Sequence, residues 1–99
     1  MIRSFKHKGL QQLFEMGTTR GINPQWRTRL VIRLGALDAA QSIEEIDLPG
    51  FRLHELKGER AGEWALNVTG NYRMVFRPTI NENEDESFDV WDVDLEDYH

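Results

Sequence analysis

The chain has 99 residues, of which 39% are hydrophobic, so it is long enough for one compact domain with a modest core and too short for two. It contains no cysteine, which excludes disulfide frameworks, thiolate metal sites and cysteine nucleophiles. The first residues run directly into charged side chains and no apolar run could span a bilayer, so the sequence predicts a cytoplasmic protein without a membrane segment.

The net charge of −5 conceals an uneven distribution along the chain. Residues 1–77 carry all 12 lysines and arginines and 8 acidic residues, whereas residues 78–99 carry 9 acidic residues and no lysine or arginine. This asymmetry is compatible with a nucleic-acid partner for the basic part. It is equally compatible with an ordinary domain that carries a solvated acidic hairpin.

The N-terminal part predicts a short strand and a first helix. Residues 2–5 can form the strand, and Leu10, Leu13 and Phe14 then recur at helical spacing. Gly17 follows as a C-cap residue, which ends this helix.

A second helix should begin at Asn23 and Pro24, which supply an N-cap and a first-turn proline, and should run to about Ala40. Its apolar stripe consists of Trp26, Leu30, Val31, Leu34 and Leu37. Residues 43–46 are expected to add a further helical turn.

From residue 52 onward the sequence changes to the period-two alternation of β-strands. Strands are predicted over residues 52–56 and 63–69, from Tyr72 and from Phe88, with a loop at 57–62, a tight turn at Gly70 and Asn71, and an acidic hairpin tip at 78–86. A change in the apolar parity of the last strand, from Phe88 and Val90 to Trp91, Val93 and Leu95, indicates a bulge. Trp64 and Trp91 alternate with aliphatic residues and are interpreted as core.

The resulting fold class is α+β, with residues 1–99 forming one domain. The N-terminal strand and both helices should pack on one face of an antiparallel or mixed sheet of four to five strands. Alternation turns Tyr72, Met74 and Phe76 toward the helices, and it leaves Arg73, Val75 and Arg77 on the open face, which His54 could share. The residue pattern therefore predicts a cationic sheet face.

Pattern alone does not identify an active site. The three histidines, His7, His54 and His99, lack metal-ligand spacing, and the sequence has neither a glycine-rich phosphate loop nor a nucleophile-elbow serine. Each polar residue of the predicted sheet has an ordinary structural explanation when it is taken singly. We therefore expect no metal and no cofactor.

Several separated blocks of the sequence resemble the HigB-type toxins of the RelE superfamily, also known as the plasmid maintenance killer family. They are residues 2–10, 37–40, 52–64 and 70–77, together with the ending Val93-Asp94-Leu95-Glu96-Asp97-Tyr98-His99. The blocks occur in the family's order and cover nearly the whole chain. The chain differs in its longer, more acidic 78–86 hairpin and in Tyr72, where a tryptophan is common in the family.

The resemblance implies the toxin of a type II toxin–antitoxin system, a metal-independent endoribonuclease that cuts messenger RNA in the ribosomal A site. In such enzymes the ribose 2′-hydroxyl attacks the adjacent phosphate, so the protein must move protons and neutralise negative charge. His54, Asp97 and His99 match the family's proton-transfer residues, and Arg73 matches its phosphate-binding arginine. Further RNA contacts are expected from Lys57, Asn71, Arg77 and Tyr98.

The implied partners are a HigA-type antitoxin with a helix-turn-helix domain, the ribosome and messenger RNA. DNA would be reached only through the antitoxin, and no membrane is involved. An alternative is a catalytically weak or inactive module of the same fold that acts as an antitoxin-binding co-repressor. The intact Arg73 and the closing residues 97–99 favour the enzyme.

Overall fold

A computed structural model of the chain describes residues 1–80 and 87–98. Residues 81–86 of the predicted acidic tip and the predicted site residue His99 lie outside the described residues. The main elements are helices α1 (Lys8–Met16) and α2 (Arg27–Ala39) and strands β1 (His54–Glu55), β2 (Trp64–Asn67), β3 (Tyr72–Ile80) and β4 (Phe88–Asp97). Short 3₁₀ turns cover Pro24–Trp26, Ile43–Ile46 and Gly58–Arg60. In the part of the chain that is described, no helix has the length and apolarity needed to cross a membrane.

At each end of helix α1, a backbone group that lies at the terminus of the helix forms a capping hydrogen bond. The imidazole Nδ1 of His7 accepts a hydrogen bond of 3.1 Å from the backbone N–H of Leu10. At the other end Gly17 has a φ of 74° and its N–H donates to the carbonyl of Leu13 at 2.9 Å. The predicted C-cap is therefore confirmed, whereas the capping role of His7 was not predicted.

Asn23 is an N-cap as predicted, since its side-chain oxygen accepts from the N–H of Gln25 at 3.0 Å, but the α-helix itself begins only at Arg27. A 3₁₀ turn at Pro24–Trp26 leads into α2. Within α2 the buried side chains are those of Leu30, Leu34 and Leu37. Val31 is 42% exposed, so the predicted apolar stripe was too wide, because α2 touches the sheet along a single side.

The sheet has the strand order β1-β2-β3-β4, and every neighbouring pair is antiparallel. Residues Ile2 and Phe5 add isolated parallel bridges to Val90 and Val93 of β4. The predicted N-terminal strand is thus a pair of bridges at the edge of β4 and not a continuous strand. The predicted α+β class is confirmed, with a four-stranded antiparallel sheet.

The bulge in β4 lies one residue later than predicted. Asp92 has a φ of 57°, and the register with β3 shifts between Val75 and Arg77. The hydroxyl of Ser4 accepts from the N–H of Asp92 at 2.8 Å and donates to its carboxylate at 3.2 Å. Because the extra residue follows Trp91, this side chain turns to the open face and is 38% exposed, so its assignment to the core was wrong.

The core lies between the two helices and one face of the sheet. Its largest fully buried side chains include Leu10, Leu30, Leu34, Met74 and Phe76. Ala65 and Val75 are also buried, at 0% and 2% exposure, but they do not belong to this cluster. They lie on the opposite face of the sheet, which carries the polar residues considered next.

Candidate functional site

The strand register places the charged residues of the open face in two neighbouring rows. Paired residues of antiparallel strands point to the same face. One row runs through His54, Ala65, Val75 and Asp94, and the next runs through Asn67, Arg73 and Glu96. His54 therefore shares a face with Arg73. Its strand, β1, lies two strands away from β3, which is a distance of about 10 Å between the two strands.

Arg73 is held from two sides. Its Nε and Nη2 atoms donate to Oε1 of Glu96 at 3.3 and 3.1 Å. Its guanidinium carbon also lies 4.9 Å from the centre of the Tyr98 ring, within the range of a cation–π contact. The backbone N–H of Tyr98 donates to the carbonyl of Asn71 at 3.1 Å, which fixes the end of β4 beside the β2–β3 turn. Three predicted site residues, Asn71, Arg73 and Tyr98, thus lie together.

Arg60, which sequence reasoning did not identify, joins two carboxylates across this face. Its guanidinium donates to both oxygens of Glu96, at 3.0 and 2.5 Å, and to both oxygens of Glu63, at 3.0 and 3.2 Å. The hydrogen bonds from Arg60 are the largest cause of a lowered pKa at Glu96, where Arg73 adds a smaller effect in the same direction and burial opposes both. Arg60 also lowers the pKa of Glu63, and the Glu96 and Glu63 carboxylates raise the pKa of Arg60.

The Arg60 bridge lies on the same face of the sheet as a buried apolar pair, Ala65 and Val75. Glu63 precedes the row of Ala65 and Val75, and Glu96 belongs to the row that follows it. The ion pairs of Arg60 thus join residues on either side of the row that contains Ala65 and Val75. The face predicted to be cationic also carries two acidic residues, since Glu63 pairs with Arg60 and Glu96 pairs with both Arg60 and Arg73.

His54 is exposed on β1, and its ring is oriented by the backbone. Its Nδ1 lies 2.8 Å from the carbonyl oxygen of Arg52. A carbonyl can only accept, so Nδ1 carries the proton and the neutral ring has its lone pair at Nε2. Arg52 itself has a φ of 51°, an uncommon conformation for a residue other than glycine.

The remaining predicted residues are spread around this centre. Lys57 is exposed and precedes the Gly58–Arg60 turn, and Arg77 is exposed on β3 opposite Trp91. Asp97 ends β4, where it pairs with Tyr72, so the structure places this predicted site residue on the helix side of the sheet and not beside Arg73. Across residues 1–80 and 87–98 no three acidic or histidine side chains are grouped so that they could share a metal ion.

The sequence indicates the position of Glu96 but not that of Arg60, so the contact between them was not predicted. Asp94 and Glu96 alternate with Val93 and Leu95, which predicts that both carboxylates lie on the open face. Arg60 lies in a loop whose path follows from no periodicity. Its contact with Glu96, which is 36 positions away, becomes visible only from the strand register.

Comparisons with known proteins found a family model, a curated relative and a solved structure that the chain resembles. Residues 3–91 match a family model, HigB-like toxin, described as the RelE-like toxin of type II toxin–antitoxin system HigB. The chain is 43% identical to Endoribonuclease HigB from Proteus vulgaris, over the whole of both chains. It is also similar to a solved YoeB/ParE toxin from Agrobacterium tumefaciens, with 21% identity and a TM-score of 0.44 over 73% of this chain and 76% of that one. The family match ends within β4, before Glu96 and Tyr98.

Proposed function

The chain belongs to the HigB-like toxins, the RelE-like toxins of type II toxin–antitoxin systems, and we propose that it is a metal-independent endoribonuclease that cuts messenger RNA in the ribosome. The full-length similarity to a protein named as an endoribonuclease supports the reaction class. The observation that carries the proposal is the Arg73 guanidinium, held between Glu96 and Tyr98 on the open face of the sheet.

The reaction needs little covalent chemistry from the protein. The 2′-hydroxyl of one nucleotide attacks the phosphate that follows it, and the bond from phosphorus to the 5′-oxygen of the next nucleotide breaks. One proton leaves the 2′-oxygen and one is given to the departing 5′-oxygen, so the products are a 2′,3′-cyclic phosphate and a 5′-hydroxyl. The protein supplies the two proton transfers and neutralises the charge on the phosphate.

Arg73 has the chemistry that the phosphate requires. A guanidinium remains charged throughout the physiological range and offers a planar fork of donors. Glu96 uses only the Nε and Nη2 nitrogens of Arg73, so Nη1 takes no part in this ion pair. We assign Arg73 to the non-bridging oxygens of the scissile phosphate.

His54 is suited to take the proton. The Arg52 carbonyl fixes the hydrogen on Nδ1, which leaves the Nε2 lone pair as the base of the neutral ring. An RNA strand that lies across β2 would meet His54 on one side and Arg73 on the other. The second proton transfer is assigned to His99, because Asp97 pairs with Tyr72 and therefore lies on the helix side of the sheet, away from Arg73.

The surrounding residues are assigned to binding of the RNA. Tyr98 is 42% exposed with Arg73 against its ring, so it can stack on a splayed base. Lys57 and Arg77, both exposed, are assigned to the phosphate backbone, and Asn71 to a base or sugar edge. The proposed partners are a HigA-type helix-turn-helix antitoxin, through which alone DNA is contacted, and the ribosomal A site in the cytoplasm.

The test is cleavage of a defined messenger RNA by the purified protein, with and without programmed ribosomes. We expect cleavage only in the ribosomal complex, at a codon in the A site, with a cyclic phosphate and a 5′-hydroxyl at the new ends. Products that carry a 5′-phosphate would contradict the proposed chemistry. Intact messages, combined with altered operator binding by the antitoxin in a gel assay, would indicate the co-repressor instead.

A further inference from the structure

Two arginines share one carboxylate on the open face of the sheet. Arg73 contacts only Oε1 of Glu96, at 3.1 and 3.3 Å, whereas Arg60 contacts both oxygens, at 3.0 and 2.5 Å. Glu96 is therefore bound more closely by Arg60 than by Arg73. Charge-assisted contacts with two donors and two acceptors are also the stronger type.

This arrangement matters because Glu96 is an anion beside the proposed phosphate ligand. A carboxylate and a phosphate compete for the same guanidinium, and a carboxylate that relied on Arg73 alone would oppose the exchange. With Arg60 in place, Glu96 keeps a cationic partner while Arg73 binds the phosphate. Glu96, which is only 24% exposed, is then not left as a part-buried charge without an ion pair.

We propose that Arg60 is a positioning residue that keeps Arg73 available to the scissile phosphate by neutralising Glu96. This inference rests on the proposed function, in which Arg73 binds the phosphate. Arg60 acts through Glu96 and does not itself contact the RNA.

Glu63 is the second carboxylate that binds Arg60. It accepts from Nε and Nη2 of Arg60, and its own side chain is only 15% exposed. The Arg60 guanidinium is thereby held by two carboxylates, Glu63 and Glu96. Such anchoring fixes the guanidinium without a cost in side-chain entropy at each catalytic cycle.

The experiment compares Arg60→Gln, Glu96→Gln and the double variant with the wild type by two measurements. The first is cleavage of messenger RNA in programmed ribosomes, and the second is titration of the Arg73 Nε–H signal with inorganic phosphate by NMR. Arg27→Gln, an exposed position on α2, is the matched control for loss of one positive charge. Circular dichroism and thermal melting establish that each variant is folded.

We expect Arg60→Gln to weaken both cleavage and phosphate binding by on the order of 10-fold, because Glu96 then depends on Arg73 alone. Glu96→Gln in the same chain should restore both to near the wild-type values, because the competing anion is gone. Arg60→Lys should lie between the wild type and Arg60→Gln, since an ammonium neutralises Glu96 without the two-pronged contact. Arg27→Gln should leave phosphate binding unchanged.

Two results would overturn the inference. One is unchanged phosphate binding at Arg73 in a folded Arg60→Gln variant. The other is a double variant as impaired as Arg60→Gln, since that would give Arg60 a role independent of Glu96. If the wild type fails to cleave messages while the phosphate titration follows the expected order, the proposed function is lost and the pairing of Arg60 with Glu96 stands.

Discussion

The surroundings of Arg73 combine an ion pair, a ring contact and low exposure. Its side chain is 17% exposed, its charge is met by Glu96, and its guanidinium lies against Tyr98. A side chain fixed in this way has lost most of its rotamer freedom before a ligand arrives. Preorganised charge of this kind is the usual source of transition-state stabilisation at a phosphate.

Replacing Arg73 by alanine should lower the rate of message cleavage in programmed ribosomes by about 10²- to 10³-fold, because one preorganised charge at the reacting phosphate is lost. The measurement is the single-turnover cleavage rate at saturating toxin. Arg27→Ala, which removes an exposed arginine of α2, should cleave at the wild-type rate. Wild-type cleavage by Arg73→Ala would remove this residue from the mechanism.

Residue-scale features that depend on neighbours in the sequence were predictable. Gly17 as a C-cap and Asn23 as an N-cap each follow from three or four adjacent residues. The Arg60 bridge to Glu96 joins residues 36 positions apart and depends on a loop of irregular path. The same limit applies to Tyr98 and Arg73, which the family resemblance named and the strand register brought into contact.

At the scale of elements, α1 is positioned by a close approach of two glycines. A Cβ on Gly9 would lie 2.2 Å from the carbonyl oxygen of Gly21, in the loop that leads to α2. No side chain can occupy that position unless the loop moves. The contact sets how α1 lies against the segment before α2, and thereby how both helices cover the sheet.

Gly9→Ala should therefore destabilise the fold by about 1–3 kcal/mol, the usual cost of overpacking. Gly35, on the exposed side of α2, is the matched control, because a Cβ there meets nothing within 4 Å. Gly35→Ala should stabilise the protein by about 0.5–1 kcal/mol through its helix propensity. Urea unfolding of both variants checks the pair, and equal effects would contradict the close approach.

The sequence predicts a bulge in β4, but it places that bulge one residue too early. Apolar parity shows that a shift occurs, but it does not show on which side of Trp91 the extra residue falls. The hydrogen bonds between Ser4 and Asp92 decide the position, and they link segments 88 residues apart.

Ser4→Ala removes the acceptor of the part-buried N–H of Asp92, so it should cost about 1 kcal/mol of unfolding free energy. The measurement is the urea midpoint, with Thr28→Ala on the exposed surface of α2 as the control. A Ser4→Ala variant as stable as the control would show that the bulge is held by other contacts.

For the whole molecule, the charge asymmetry of the sequence becomes a set of ion pairs across the fold. Carboxylates of the acidic C-terminal part pair with arginines of the basic part, as Asp89 does with Arg3 at 3.0 Å and Glu96 with Arg60 and Arg73. The sequence shows that acidic and basic residues are unevenly distributed along the chain. Which of these charges form ion pairs depends on how the strands are arranged in the sheet.

These pairs make stability depend on pH. The pKa of both Glu63 and Glu96 is lowered in the fold, chiefly by hydrogen bonds from Arg60. A glutamate in the unfolded chain titrates near pH 4.3, so this contribution is complete above about pH 5 and is lost as the pH falls below about 4 toward the folded-state values.

Glu96→Gln should consequently be less stable than the wild type at pH 7, with the difference shrinking toward pH 3. Urea unfolding at the two pH values measures it. Glu44→Gln, at an exposed position of the Ile43–Ile46 turn, should show no such trend. A difference between wild type and Glu96→Gln that stays constant with pH would contradict the assigned role of the carboxylate.

If Arg73 on the open sheet face acts in the cleavage of messages during translation, its loss must be visible in the cell. The measurement is a map of RNA 5′ ends across the transcriptome after brief induction of the wild type and of Arg73→Ala. We expect growth arrest and new 5′-hydroxyl ends inside translated codons with the wild type, and neither with the variant. Normal growth with intact messages on induction of the wild type, or identical ends from both proteins, would contradict this expectation.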